Sequence, residues 1–182
     1  MPIPAPPRMV WIDIETTGLD VDRDAVLEVG CVITDGALEA VGHRSFVIKT
    51  NPHALEQMHP VAKEMHEANG LLDAIRKGEG IDMVTAESHL MQFIDRYTFS
   101  EHRPLCGSSV QFDRNFLDVY MPGLMSMFHY RNIDVSTFKE LVAIWCPDKA
   151  APTHRLKTHR PIEDLECSID ELRHYRENLF QL

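Results

Sequence analysis

Basic residues are scarce in this sequence: 18 lysines and arginines face 28 aspartates and glutamates, a formal net charge of −10. A surface that grips a long polyanion does so through lysine, arginine and counterion release, so extended nucleic-acid binding is disfavoured. The four cysteines are widely spaced and form no CxxC pair, which argues against a disulfide scaffold and for reduced thiols in the cytoplasm. No uninterrupted apolar run approaches the roughly 20 residues of a membrane span. There is no internal repeat and no linker. The only biased stretch is the proline-rich start, MPIPAPPR, which reads as a flexible tail over 1–8 and not as a secretory signal. What remains is ordinary globular composition, 44% hydrophobic and 25% charged, consistent with a single domain over 9–182.

Alternation and turn residues predict three consecutive strands at 10–15, 25–34 and 42–49, the second and third joined by a hairpin signal at Asp35-Gly36. A short helix is expected over 61–72, closed by Gly70. Thr85 is placed to cap another, on which Leu90, Phe93, Ile94 and Tyr97 fall at helical spacing. Residues 104–109 read as a central strand leading into a helix over 112–121. A further strand covers 132–135, and Ser136/Thr137 open a helix with Glu140 completing a capping box from Thr137. Pro161 suits the first position of a long final helix through Leu165, Ile169, Leu172 and Leu179. This order implies an α/β fold, a mixed sheet flanked by helices.

Acids occupy places where a core would not put them. On an alternating strand Asp13 and Glu15 share one face, opposite Val10, Ile12 and Ile14. Two carboxylates one pleat apart on an apolar strand are costly to bury without a cation. Asp113 shares its helical face with Phe116, Leu117 and Tyr120, an inward-pointing stripe. Asp164 lies in the first turn of the last helix, beside Leu165 and Ile169. Taken singly, Asp113 could begin its helix and Asp164 could complement a helix dipole. Taken together, the four favour a hard-cation site with oxygen ligands, suited to magnesium or manganese. A pair of such ions can serve an in-line phosphoryl displacement and would return four positive charges to an acidic chain.

The segments WIDIETTGLD, CGSSVQFDRNFLDVYMP, HYRNIDVSTFKEL and HRPIEDLECSIDELRHYREN resemble the three motifs of the DEDDh 3′→5′ exonucleases, most closely the oligoribonuclease family. The resemblance runs from Met9 to the C-terminus. It implies a ribonuclease H-like sheet, a homodimer, two divalent cations, and removal of nucleotides from the 3′ end of short RNA, dinucleotides above all. Asp13, Glu15, Asp113 and Asp164 match the metal ligands, and His159 the general base. The resemblance further implies that Leu19 wedges against a base and His66 stacks on the substrate. Ser109, Ser136 and Thr137 would cradle the 5′ phosphate, while Tyr130 and Arg131 reach in from the partner subunit.

The residues themselves leave Ser136 and Thr137 open as helix caps and Tyr130 as a core or interface aromatic. Six of the ten histidines, 43, 53, 89, 102, 154 and 174, read as structural. The sequence departs from the family pattern at Ser108, at Gln111-Phe112, at His59-Pro60-Val61-Ala62 where a tryptophan is common, and at Pro161-Ile162-Glu163. None removes a ligand or the base. Two rivals follow: an exonuclease of the same family acting on longer RNA or DNA 3′ ends, and a catalytically silent nucleotide-binding scaffold. The intact acids and His159 weigh against silence, and the acidic charge weighs against long substrates.

Overall fold

A computed structural model describes residues 8–98, 103–152 and 158–180. The expected tail lies outside this range except for Arg8, as do His102 and His154. Five strands form one mixed sheet in the order β3-β2-β1-β4-β5. β1 (Arg8–Thr16), β2 (Val26–Asp35) and β3 (Ala40–Val47) are an antiparallel meander, while β4 (Leu105–Gly107) and β5 (Asn132–Asp134) run parallel to β1. β1 is therefore the strand at which the pairing changes sense. Ligands bind beyond carboxyl ends of strands at such switch points in open α/β sheets.

The alternation of β1 sorts the two layers. Val10, Ile12 and Ile14 face α4 (Met83–Tyr97), α5 (Val110–Tyr120) and α6 (Pro122–Met125), burying against Leu90, Phe93, Phe116 and Leu124. Trp11, on the other face, packs with Val32 and Cys106 against α7 (Val135–Trp145) and α8 (Pro161–Leu179), through Val142, Leu165 and Ile169. Each fully buried Leu or Ile contributes roughly 1.5–3 kcal/mol, so both layers hold the sheet. Three short helices, α1 (Pro52–Glu56), α2 (Pro60–Ala68) and α3 (Leu71–Arg76), cover the end of the meander around Leu27, Met58 and Leu72.

Several expected elements shift. The single helix over 61–72 is two, because Gly70 takes φ 79° and ends the first. The cap of α4 is Asp82, whose Oδ1 accepts the Thr85 amide at 2.9 Å; Thr85 sits inside the helix. The β2–β3 connection is not a two-residue turn at Asp35-Gly36. Asp35 Oδ1 accepts from the Ala37 and Glu39 amides, and Leu38 takes φ 70° to place its side chain in the core. α7 begins at Val135, capped by Asp134, so the capping box from Thr137 to Glu140 does not form. No disulfide links Cys31, Cys106, Cys146 and Cys167, and no described helix is long and apolar enough to cross a membrane.

Candidate active site

The carboxyl end of β1 gathers the acids. Asp13 and Glu15 project toward α8, and the α8 N-terminus brings Asp164 to them: oxygens of the three carboxylates lie within 4.8 Å of one another. Two residues of β2, directly opposite them in register, make this approach possible. Gly30 pairs with Asp13, and a β-carbon there would stand 2.5 Å from Pro161 Cβ. Glu28 pairs with Glu15 and holds Arg160 through a two-pronged ion pair, Nε to Oε2 at 2.6 Å and Nη2 to Oε1 at 3.0 Å. A glycine inside an apolar strand is the usual sequence mark of close backbone approach. Glu28 bears the same mark as Asp13 and Glu15, an acid on a buried strand. Both signals are present in the sequence of β2, and neither figures among the site residues expected from it.

Asp113 arrives from the other side of β1 and stands apart from the three-acid group. Its Oδ1 accepts the Ile14 amide at 3.1 Å, tying the first turn of α5 to the strand between the two acids of β1. It remains electrostatically part of the site: burial raises the Glu15 carboxyl to about 8, and the charges of Asp164, Glu28 and Asp113 push the same way, with Arg160 opposing. Burial and like charges favour the protonated carboxyl, and a bound cation would favour the ionised form instead. The donor set is all oxygen, so the residues fit hard divalent cations.

His159 lies outside the three-acid group, half-buried at the mouth of a cavity of about 650 Å³ that is also lined by Val61, Met65, Asn69 and Glu163. His66 is 1% exposed, with Nε2 3.0 Å from the Thr16 carbonyl and 3.8 Å from Glu15 Oε2, so its ring is packed directly behind the acid-bearing end of β1. Burial also lowers its pKa, which keeps it neutral behind Glu15. The reason is packing: His66 falls on the inward side of α2, between that helix and the end of β1.

Leu19, by contrast, is 85% exposed on a loop fixed by Asp24, which accepts from Thr17 Oγ1 and the Asp20 amide, both at 2.9 Å. Tyr130 is 71% exposed, its ring 4.2 Å from that of His129, with the Arg131 guanidinium 5.4 Å from the Tyr130 centroid. Ser109, at φ 61°, and Thr137 are exposed at the starts of α5 and α7. Three of the amides at these helix starts are already taken by a side chain. One carboxylate, Asp134, takes the Ser109, Val110 and Ser136 amides at 2.9–3.1 Å and the Ser136 hydroxyl at 2.6 Å. Ser136 thus lies in the first turn of α7 with its hydroxyl proton engaged by the capping Asp134. The strand–helix junctions of β4–α5 and β5–α7 share a single acid, a tertiary arrangement that spacing alone does not reveal.

A family model described as exonuclease, of the RNase T type, matches residues 10–172. The chain is 39% identical over 174 residues to the oligoribonuclease of Dichelobacter nodosus, covering 95% of each chain. It is 39% identical over 176 residues to that of Marinobacter nauticus, covering 96% of this chain and 97% of the relative. Among solved structures it resembles exonuclease I from Methylocaldum szegediense, with TM-score 0.71 and 16% identity over 94% of this chain and 41% of that one. It is equally similar to a zinc-bound Escherichia coli exonuclease I–single-stranded DNA complex, with TM-score 0.70 and 15% identity over 96% and 41%. Those two likenesses establish the ribonuclease H-like exonuclease fold. With near-complete coverage in sequence and the acids gathered at the end of β1, the chain belongs to the oligoribonuclease family of exonucleases.

Proposed function

We propose that this protein hydrolyses short oligoribonucleotides from the 3′ end, dinucleotides above all, releasing 5′-mononucleotides. The carrying observation is the convergence of Asp13, Glu15 and Asp164 within 4.8 Å, with Asp113 bound to the Ile14 amide between the two acids of β1. Asp13, Glu15, Asp113 and Asp164 would hold two divalent cations, Mg²⁺ or Mn²⁺. When bound, such ions supply positive charge at the scissile phosphate and at the leaving oxygen. His159 takes the proton of the attacking water. Water adds to phosphorus, the bond to the 3′ oxygen of the preceding nucleotide breaks, and that oxygen gains a proton. Leu19 packs against a base. The partner subunit of a homodimer contributes Tyr130 and Arg131, whose exposure supports that role. A guanidinium holds a 5′ phosphate through paired hydrogen bonds, with the Ser109 and Thr137 hydroxyls beside it. The engagement of the Ser136 hydroxyl with Asp134 shifts that task toward side chains from the partner. Four free cysteines fit the reducing cytoplasm.

A net charge of −10 gives little pull on a long strand, so affinity must come from holding both ends of a short one. Competition binding at fixed salt, with RNA of about two to ten nucleotides, separates this from a general exonuclease. The expected result is tightest binding by a 5′-phosphorylated dinucleotide. Affinity that climbs steadily with length, with no 5′-phosphate effect, would assign the protein to longer 3′ ends instead.

A further inference from the structure

Two adjacent residues ahead of α8 run against local backbone preference. His159 takes φ 53°, in the left-handed region that favours glycine or asparagine. Arg160 is the N-cap of α8 yet makes no capping bond, at a position where Ser, Thr, Asp or Asn is normally used. Residues that break local rules persist when surrounding structure over-determines them, and they cluster at functional sites.

Here the surrounding structure is specific. The His159 carbonyl accepts from Asn69 Nδ2 at 2.5 Å. Asn69 is itself fixed at the α2–α3 turn, its Oδ1 accepting the Leu71 amide at 3.0 Å. On the other side, the Arg160 guanidinium is locked to buried Glu28, and Ser45 Oγ donates to Glu28 at 2.6 Å. Glu28 is the cross-strand neighbour of Glu15. The backbone flanking His159 is thus tied to α2 through one bond and to the acid-bearing strand pair through another. Neither tie uses the imidazole, and His159 lines the cavity.

We propose that Asn69 and the Glu28–Arg160 pair are positioning residues for His159. They hold its peptide in a conformation it would not otherwise adopt, so that the ring meets the acid cluster in one orientation. The inference rests on the reading of His159 as general base. Misplacing a catalytic group by about 1 Å can cost on the order of 10²-fold in rate, so loss of either tie should appear in kcat. Arg160 also offsets the acids electrostatically, whereas Asn69 is neutral; substituting each separates orientation from charge.

The experiment is an epistasis test on the full-length protein with a 5′-phosphorylated RNA dinucleotide. Asn69→Ala and Arg160→Met should each lower kcat by about 10- to 100-fold, with KM changed less than about threefold. Glu28→Gln with Arg160→Met should cost no more than the larger single change, because the pair acts as a unit. In a His159→Ala background, Asn69→Ala should lower the residual rate no further. In the metal-free protein, the His159 Cε1–Hε1 signal, assigned by its loss in His159→Ala, should broaden or double in Asn69→Ala. Mn²⁺ affinity by calorimetry should be unchanged in Asn69→Ala, and thermal melts verify that each variant folds. If Asn69→Ala keeps full kcat, or further lowers the rate without His159, the positioning role is wrong. If His159→Ala itself retains kcat, the base assignment fails first.

Discussion

Replacing Glu15 by glutamine should stabilise the metal-free protein at alkaline pH. Glu15 is 7% exposed, and burial among Asp164, Glu28 and Asp113 raises its pKa from 4.5 to about 8. The folded state therefore keeps a proton that the unfolded chain releases above pH 4.5. The contribution of Glu15 is fully favourable below that value and is lost as pH rises toward 8. A tenfold difference in proton affinity is worth about 1.4 kcal/mol, so the full loss is about 5 kcal/mol, of which about 3 falls between roughly pH 5 and 8. For a domain of this size that difference corresponds to roughly 6–12 °C in Tm. Glutamine keeps the shape and cannot ionise, so the assay compares wild type with Glu15→Gln in EDTA, by thermal melting across that range. The difference between the two proteins isolates Glu15 from other titrating groups. Saturating Mn²⁺ should invert the ranking, because the wild type gains a ligand charge that the variant lacks. Parallel pH profiles in EDTA would refute the argument, since they would mean that Glu15 is already ionised in the metal-free fold.

Gly30→Ala tests the close approach of α8: its β-carbon meets Pro161 at 2.5 Å, so the helix start must retreat, at about 1–3 kcal/mol. Mn²⁺ affinity by calorimetry should fall, although no ligand is altered. Asp134→Ala should lower stability by about 1–3 kcal/mol in urea titrations, because three amides and the Ser136 hydroxyl lose their acceptor. An unchanged midpoint would mean that water replaces the carboxylate without penalty. Mixing inactive Asp113→Asn protein with Arg131→Ala protein should restore activity above either alone, since exchanged dimers regain one site with a full set of residues. A protein that sediments as a monomer while active would exclude the shared site.

How much of the molecule is legible in the sequence differs by element. The period-two pattern of β1 is enough to place Asp13 and Glu15 on one face and the aliphatic residues on the other, because side-chain direction on a strand is fixed by the backbone. The start of α8 is equally readable, since Pro161 suits a first helical position and little else in a helix. Asp164 beside an apolar stripe has to point inward for the same kind of reason. These are local rules, and they carry the acids, the strand order of the meander and the family. What is not legible is what lies opposite each residue. The burial of His66 behind Glu15 appears only once α2 packs across the end of β1. The Ser136-Thr137 start of α7 looks like an anion cradle until Asp134 is seen to cap two helices at once. The ties that flank His159, from Asn69 90 residues before it and from Glu28 132 residues before Arg160, join segments whose separation in sequence carries no trace of contact. Backbone geometry propagates only a few residues along a chain, whereas burial and charge partners are assigned by packing between distant segments. The sequence alone therefore determined the family and which acids share the face at the end of β1, and the tertiary structure decided which neighbours pack around them.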